Sequence, residues 1–579
     1  MEWFDGRVTR ARAGALVAMA ALLGAVPPMM HRAHARPHRE GGHYLVEARS
    51  GADLAALKAS LPDGASVDTD LAAIDVVTVT ADAPAATELS SSDHVTSMAR
   101  LGVRRVIEPE HAGDALVRRG SLARNSAPPR PTLRPLLWNI DRVDAPNANT
   151  TTRGAGVTVA VADTGIDAGQ PELAGKVVDA VDLTVTDGDS PCKVVTGLSD
   201  DDLPALYGVG TAASDWNGHG TFVAGLLAAS STDDTVRGVA PDVHLVDIKI
   251  AQWCGLADDS SILKAMLYAA DHGVDVLNLS IGGYLDRSTP DGDALYRAYA
   301  RAVSYARRKG TVIVAAAGND HVRVGNGGEV LSHGRLTSPG EPLQDLYGLY
   351  DIPGGLPGVV MVSATANQVG EASPECSDDS LAGSFSTCKP SGDAHQPFGV
   401  GAGDQLAYYS NYGPRIDVAG PGGAREFNVP NADRGGAVTA ADGTSTFGVL
   451  SIASDFAVGP DAACVTVVGL DDGRCYNVLQ GTSFAAPHVA GVAALAIAGD
   501  PELRHHPRAI LDALRDGARE VQNFTPRLSA TDTSPGDVGG PACDAGYCHL
   551  GGRPIRDREA YGAGVVDAVR TIDVASGHH

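Results

Sequence analysis

The chain is poor in positive charge and in aromatic side chains. Its 579 residues include 45 Lys or Arg against 70 Asp or Glu, a formal net charge of -25 at pH 7, and only 5% are aromatic. This deficit of cations excludes a broad basic surface for a polyanion, so we expect no nucleic-acid partner. With 44% hydrophobic residues and 69 glycines, the composition is that of a globular protein rich in turns.

Long apolar runs are also scarce. One lies at residues 13–26, behind Arg7, Arg10 and Arg12 and ahead of the small-residue segment Ala33-His34-Ala35. This pattern is typical of a secretory signal peptide over residues 1–35, because the run is short for a bilayer core of about 30 Å. An uncleaved anchor is the alternative. No later segment is expected to reach the length of a spanning helix, so we predict a secreted, extracellular protein with no stable membrane anchor.

The sequence also lacks the cysteine and histidine spacings that are typical of zinc sites. The eight cysteines form no CxxC pair and no Cys/His cluster, which disfavours a zinc site. An even number fits export into an oxidising compartment, where disulfides persist. The sequence alone does not determine how the cysteines pair. Proximity along the chain suggests Cys376 with Cys388, Cys464 with Cys475 and Cys543 with Cys548, which leaves Cys192 and Cys254.

Residues 36–120 have the pattern of a small α+β unit. Extended runs at 43–48, 74–80 and 103–107 alternate with helical stretches. Residues 121–137 are rich in proline and basic residues and predict an exposed linker that a protease can cut.

From residue 138 to 579, short continuous apolar runs alternate with helical segments. The runs are at 157–162, 244–250, 274–279, 312–316 and 359–362, and two of the helical segments are at 260–271 and 294–308. They predict an α/β fold whose mostly parallel sheet is covered on both faces, with its chemistry at the carboxyl ends of the strands. The stretches 371–404 and 423–477 lack periodicity and are predicted to be surface insertions.

Four polar residues stand at ends of these elements. Asp163 and Asn319 each follow an apolar run, whereas His219 and Ser483 each open a helical segment. A helix amino terminus favours an anion, which suits Ser483 to bind a developing negative charge. Each residue alone has an ordinary structural explanation, such as a helix cap for the serine or a turn for the asparagine. Their surroundings are more specific: Val161-Ala162-Asp163-Thr164-Gly165, Asn217-Gly218-His219-Gly220-Thr221, Ala317-Gly318-Asn319-Asp320 and Gly481-Thr482-Ser483-Phe484-Ala485.

The order Asp, His, Asn, Ser in these surroundings resembles the subtilisin family of serine peptidases. Three further segments are similar to family motifs: Leu279-Ser280-Ile281-Gly282-Gly283, Ser410-Asn411-Tyr412-Gly413-Pro414 and Tyr561-Gly562-Ala563-Gly564. The resemblance covers roughly residues 138–567. It implies a three-layer subtilisin-like α/β fold with a mostly parallel sheet, preceded by a ferredoxin-like propeptide that assists folding and inhibits the enzyme.

The resemblance also implies a mechanism. His219 would take the proton of Ser483 as it attacks the scissile carbonyl, Asp163 would orient the imidazole, and Asn319 would stabilise the oxyanion before water releases the acyl-enzyme. No cofactor is required for this chemistry. The substrate-binding residues would be Ser280, Ile281, Gly282 and Gly283.

We therefore expect a secreted, monomeric serine endopeptidase that cleaves proteins or peptides. We expect it to cut its own chain between about residues 110 and 135. Glu172, in a segment similar to a family calcium-binding segment, is the candidate ligand for a structural calcium ion. Asp320 is a candidate for favouring a basic residue before the cleaved bond, although solvent would screen it. Two alternatives stay open: a catalytically silent homologue that binds proteins, and a processing protease of narrow specificity, since the 164 residues from Asn319 to Ser483 leave room for insertions.

Overall fold

The computed structural model describes most of the chain. The described residues are 41–106, 137–185, 190–230, 236–333, 335–336, 344–366, 405–407, 409–423, 448–458, 476–521, 543–544, 547–548 and 555–577. The predicted signal peptide, residues 121–136 of the linker and the predicted insertion at 371–404 lie outside them. So do four of the cysteines: Cys376, Cys388, Cys464 and Cys475.

Residues 41–100 form an antiparallel four-stranded sheet with two helices. In chain order the elements are β1 (Gly42–Ala48), α1 (Gly51–Ala59), β2 (Ala65–Leu71), β3 (Val76–Ala81), α2 (Ala83–Ser90) and β4 (Val95–Arg100). The sheet order is β2-β3-β1-β4, which is the predicted ferredoxin-like arrangement. Each helix begins after a polar cap, because Ser50 and Asp82 accept hydrogen bonds from backbone N–H groups three residues later.

The run predicted at 103–107 is a strand, but it does not belong to this small sheet. Its described part, β5 (Val103–Val106), lies between β9 (Leu256–Asp258) and β11 (Ile281–Leu285) and is antiparallel to both. The strands β2 and β4, which complete the small sheet, escaped prediction because exposed polar positions interrupt their apolar pattern.

Seven parallel strands form the central sheet of the larger domain, in the order β17-β16-β12-β10-β6-β8-β7. They are β6 (Thr158–Asp163), β7 (Val177–Asp182), β8 (His244–Lys249), β10 (Val276–Leu279), β12 (Val312–Ala316), β16 (Val360–Thr365) and β17 (Val418–Pro421). Every position of β10, β12, β16 and β17 is buried. The continuous apolar runs predicted this arrangement, because a parallel sheet is covered on both faces.

Helices cover both faces of the sheet, which makes the fold a three-layer α/β structure. They are α3 (Trp138–Arg142), α4 (Ala145–Ala148), α5 (Pro191–Thr196), α6 (Leu203–Tyr207), α7 (His219–Ala228), α8 (Asp259–Asp271), α9 (Pro290–Lys309), α10 (Thr482–Gly499), α11 (Pro507–Asp516), α12 (Asp557–Tyr561) and α13 (Ala568–Ala575). One core contains α7 and α10, and a second, on the other face, contains α8 and α9.

The expectation that no later segment has the length of a spanning helix was wrong. Helix α10 has 18 residues and a mean hydropathy of 1.4, so by length and composition it qualifies. Its apolar character has a different cause: 89% of it is buried, because it runs through the core against the central sheet.

Short strand pairs complete the described structure: β13 (Arg335–Leu336) with β14 (Gln344–Asp345), β15 (Tyr350–Ile352) with β11, β18 (Val449–Ile452) with β19 (Tyr476–Leu479), and β20 (Cys543–Asp544) with β21 (Tyr547–Cys548). The stretch predicted as a surface insertion at 423–477 is therefore partly core, since β18 is buried and Ser451 Oγ donates to Phe222 O at 2.8 Å. Cys192 and Cys254, the pair that proximity left over, form a disulfide with Cα atoms 5.8 Å apart.

The small sheet packs against the larger domain through one face. Leu45 and Ala99 join the core that contains α8 and α9. Glu47, only 2% exposed, pairs with Arg297 at 3.2 Å and with Arg301 at 2.5 Å. The interface therefore combines apolar burial with a carboxylate held between two arginines of α9.

Candidate active site

Asp163 and His219 meet where β6 ends and α7 begins. Asp163 Oδ1 lies 2.7 Å from His219 Nδ1, and the two side chains are 0% and 1% exposed. The carboxylate also accepts the Thr164 backbone N–H at 2.8 Å. Because a carboxylate only accepts hydrogen bonds, Nδ1 carries the proton and Nε2 is the basic end of the neutral ring.

A second buried carboxylate, Asp215, joins the two elements that carry this pair. Its Oδ1 accepts from Thr164 Oγ1 at 2.8 Å, and its Oδ2 accepts from the N–H of Thr221 at 2.9 Å and from Thr221 Oγ1 at 2.5 Å. Thr164 follows Asp163, and Thr221 lies in the first turn of the helix that begins at His219. Sequence reasoning missed Asp215, whose one signal was its place four residues before His219.

Ser483 lies in the first turn of α10, beside the imidazole. The His219 ring packs against Phe484, the next residue after the serine, with ring centroids 5.3 Å apart. Ser483 Oγ donates to Ser280 O at 3.4 Å. The first turn of a helix presents backbone N–H groups that have no intrahelical partner, so an anion is favoured at this turn.

Pro487, four residues after Ser483, lets the Ser483 carbonyl bond with the neighbouring strand. Pro487 has no N–H, so the Ser483 carbonyl lacks its usual partner within the helix. Ser280 Oγ donates to that carbonyl at 2.7 Å, and Asn278 Nδ2 donates to Ser280 Oγ at 3.0 Å. The turn with the serine and the segment that leads into β11 are therefore joined by hydrogen bonds.

Both ring nitrogens of His488, on the same helix, form hydrogen bonds within the protein. Its Nδ1 donates to Phe484 O at 2.7 Å, and its Nε2 accepts from Asn139 Nδ2 at 2.8 Å. Burial lowers the pKa of His488 to about 4, so the ring is neutral near pH 7.

Asn319 follows β12, and Thr482 orients its side chain. Asn319 Oδ1 accepts the Thr482 backbone N–H at 3.0 Å and Thr482 Oγ1 at 2.8 Å. With the oxygen fixed on Thr482, the amide nitrogen lies against Gly481, two residues before Ser483. The amide therefore presents a donor at the turn that carries the serine.

The loop that carries Asn319 is held by Asn411, which sequence analysis named only within a motif. Its amide nitrogen donates to Ala317 O at 2.7 Å and to Tyr284 Oη at 2.9 Å. Its oxygen accepts from the N–H groups of Asp320 at 3.2 Å and Val322 at 3.1 Å. A buried asparagine with four hydrogen bonds thus fixes the turn on both sides of Asn319.

The four predicted substrate-binding residues lie along the start of β11. Ile281 pairs with Val106 and Gly282 with Arg105 of β5, whereas Gly283 pairs with Ile352 on the opposite side. Ser280 precedes them and contacts Ser483, as described above. Strands β9 and β11 border a groove that β5 occupies, and Ser280, at one end of this groove, contacts Ser483.

The predicted calcium ligand, Glu172, is buried and hydrogen-bonded by protein. Its Oε1 accepts from Tyr476 Oη at 2.8 Å, and the residue is 2% exposed. Among the described stretches there is no group of three or more His, Cys, Asp or Glu side chains that could hold a metal ion. Calcium also takes backbone carbonyl and water oxygens, so Glu172 stays a predicted calcium ligand.

Asp320, the candidate for attracting a basic residue, is engaged in a hydrogen bond. Tyr284 Oη donates to its Oδ2 at 2.6 Å. Burial and the nearby carboxylates of Asp320 and Asp351 raise the pKa of Tyr284 well above its usual value, so the phenol stays protonated as a donor.

A buried Asp–His pair beside a helix-start serine is an arrangement typical of Ser–His–Asp hydrolases. The model of the subtilase family matches residues 154–533, and the chain belongs to this family.

Individual relatives agree with this assignment. Subtilisin DY from Bacillus licheniformis is 28% identical over 385 residues, 66% of this chain and 86% of that protein. Thermitase from Thermoactinomyces vulgaris is 31% identical over 183 residues, 31% of this chain. The chain spans about half the length of the first curated relatives it matches, 54% for thermitase.

The fold is also similar to solved structures. The epidermin leader peptide processing serine protease (EpiP) from Staphylococcus aureus aligns with a TM-score of 0.57 and 18% identity, over 93% of this chain and 99% of that one. At this identity the likeness concerns the fold.

Proposed function

We propose that the protein is a secreted serine endopeptidase that is made as a zymogen. One observation carries the proposal: the buried Asp163–His219 pair and the Ser483 turn lie at the end of a groove whose two edge strands hold an extended peptide segment. Its substrates are proteins or peptides, which bind as the third strand in place of β5, and the enzyme acts as a monomer.

In the proposed reaction His219 Nε2 removes the proton of Ser483 Oγ as that oxygen attacks the scissile carbonyl. Asp163 stabilises the imidazolium that forms, at an Oδ1–Nδ1 distance of 2.7 Å. The Asn319 amide and the N–H groups at the start of α10 stabilise the oxyanion. The amine leaves with the proton from the imidazolium, and water then releases the acyl group by the same path in reverse.

The zymogen proposal rests on the position of β5. It pairs with both edge strands of the groove, and Val106 N donates to Gly255 O at 2.8 Å. The small sheet that precedes β5 is anchored on α9 through Glu47 and its two arginines. Residues 41–106 therefore block the groove until the chain is cut behind β5. If a bound peptide continues this register by one residue, we infer a cut after residue 107, just ahead of the window at 110–135 that the sequence suggested.

Replacement of the nucleophile tests the activity. Wild-type protein should hydrolyse casein and react covalently with a fluorophosphonate label, whereas Ser483→Ala should do neither. Ser304→Ala, at an exposed position of α9, is the matched control and should behave as wild type. If the label misses Ser483 and casein is cleaved equally poorly by all three proteins, the chain is a silent homologue.

Intact mass of the secreted protein tests export and maturation. We expect wild type to start near residue 108, and Ser483→Ala to start near residue 36 because it cannot cut itself. A wild-type product that also starts near residue 36 would overturn the proposed self-cleavage.

A further inference from the structure

The groove contains a buried carboxylate, Asp259, at the first residue of α8. Its side chain is 0% exposed. Tyr299 Oη donates to its Oδ1 at 2.7 Å, and the Gly102 backbone N–H donates to its Oδ2 at 2.9 Å. Asp259 therefore sits in the wall of the groove, in contact with the segment that occupies it.

The main partner of Asp259 is Arg104 of β5. Arg104 Nε donates to Oδ1 at 2.7 Å and its second terminal nitrogen, Nη2, donates to Oδ2 at 3.0 Å, which is a two-pronged ion pair. The arginine side chain is only 10% exposed. Its stem crosses Gly283, where a Cβ would come within 3.1 Å of Arg104 Cδ. The glycine thus leaves room for this side chain.

The ladder places Arg104 relative to the cleaved bond. Val106 faces Ile281, and Arg105 faces Gly282. Ser280 precedes Ile281 and would face the next residue of a peptide bound in this register, and its carbonyl accepts from Ser483 Oγ. A peptide bound in this register therefore presents its scissile carbonyl at that residue. Counting back from it, the position of Arg104 is the fourth residue before the cleaved bond.

Departure of residues 41–106 removes both Arg104 and Gly102 from Asp259. Of the described residues that donate to this carboxylate, Tyr299 then remains. A buried carboxylate without a cation is strongly unfavourable, and a planar guanidinium is the cation that meets both oxygens. A substrate with arginine at this position restores the pair, whereas an apolar side chain leaves the charge without a counterion.

We propose that Asp259 selects arginine at the fourth residue before the cleaved bond. The inference rests on the proposed peptidase function and specifies its substrate class. Lysine carries the charge but not the two-pronged geometry, so it ranks between arginine and leucine. Asp259 is thus a specificity-determining residue, and segments of the form Arg-Xaa-Xaa-Xaa before the cut are the preferred substrates.

The test compares peptides that differ at this one position. Mature wild-type enzyme is given quenched fluorescent peptides with the sequence of residues 104–110, in which the first residue is arginine, lysine or leucine. Active sites are counted by fluorophosphonate titration, so that misfolded enzyme does not enter the rates. We expect kcat/KM for arginine to exceed that for leucine at least about 30-fold, since separating a buried charge pair is this costly.

Two variants assign the preference to the carboxylate. Asp259→Asn should reduce the arginine-to-leucine ratio to within about threefold of one, mainly by slowing the arginine peptide. Asp271→Asn, at the exposed opposite end of α8, is the matched control, and the ratio should stay at the wild-type value.

The outcomes separate the two proposals. A wild-type ratio within threefold of one, or a high ratio that persists in Asp259→Asn, overturns the inference while the peptidase function stands. If Asp259→Asn gives no titratable enzyme, the wild-type ratio alone decides. Absence of both cleavage and labelling in wild type overturns the peptidase function and this inference with it.

Discussion

The amide of Asn319 provides the sharpest test of the proposed mechanism. Asn319→Ala removes the donor proposed for the oxyanion and also the oxygen that accepts two hydrogen bonds from Thr482. Loss of one preorganised oxyanion donor costs about 10²- to 10³-fold in kcat. Because the donor acts on charge that develops only in the transition state, KM should change little.

The structure also predicts that Asn319→Ala is less stable than wild type. A second variant separates this loss of stability from the loss of kcat. Asn319→Ala leaves two donors of Thr482 without their acceptor, at about 1 kcal/mol each in the free energy of unfolding. Asn319→Asp keeps an oxygen for Thr482 but has no amide donor and adds negative charge. It should therefore lose at least as much kcat as Asn319→Ala, with a smaller loss of stability.

Thr482→Val tests whether the orientation of the amide matters. The variant retains Asn319 and the backbone N–H of residue 482 but loses the hydroxyl that donates at 2.8 Å. We expect about a tenfold fall in kcat from the less well fixed amide. The assay is kcat and KM on a peptide substrate per titrated active site. An Asn319→Ala enzyme within threefold of wild-type kcat, or one changed in KM alone, would refute the reasoning.

Three further predictions concern the surroundings of the site. Asp163→Asn should lower kcat by about 10⁴-fold, because the amide can stabilise the wrong imidazole tautomer. A fall of less than tenfold in single-turnover measurements would contradict the proposed role of the 2.7 Å contact between Asp163 Oδ1 and His219 Nδ1. Removing the disulfide in a Cys192→Ser, Cys254→Ser variant should reduce the free energy of unfolding by up to about 4 kcal/mol for a loop with a sequence separation of 62. It should also raise KM more than it lowers kcat, because Cys254 precedes Gly255, the acceptor of the Val106 N–H. Burial raises the pKa of Asp247 from 3.8 to about 7; the folded protein therefore binds more protons than the unfolded chain between these values, and its stability should fall as pH rises from about 4 to 7. In a Ser483→Ala background, Asp247→Asn should flatten this dependence in thermal unfolding, and an unchanged slope would count against the shift.

Much of the larger domain was predictable because burial on both faces of a parallel sheet imposes continuous apolar runs. The run predicted at 312–316 is β12 residue for residue, and the helix predicted at 260–271 is α8 with one more residue at its start. Asp163, His219 and Ser483 stand where an apolar pattern ends or begins, but their prediction as a triad rests on the resemblance of their surroundings to subtilisin-family motifs.

The partners of these elements were not predictable from local pattern. β5 was recognised as a strand, but its apolar run is compatible with pairing in the small sheet or in the groove. Asp259 and Asn411 were missed as site residues because their hydrogen-bond partners lie far away in the chain, such as Arg104 at a separation of 155 residues. Only the fold brings such groups together, and their role depends on burial that a sequence does not display.

The antiparallel pairing of β5 on both sides has a consequence for the choice of targets. A segment can replace β5 only when at least four consecutive residues are extended and have released their own backbone hydrogen bonds. In a folded protein such segments arise by local opening, whose free energy varies widely along the chain. Where opening and closing are faster than cleavage, the rate of cleavage follows the population of the open form. The stability of the target at each potential site would then govern how fast the proposed protease degrades it.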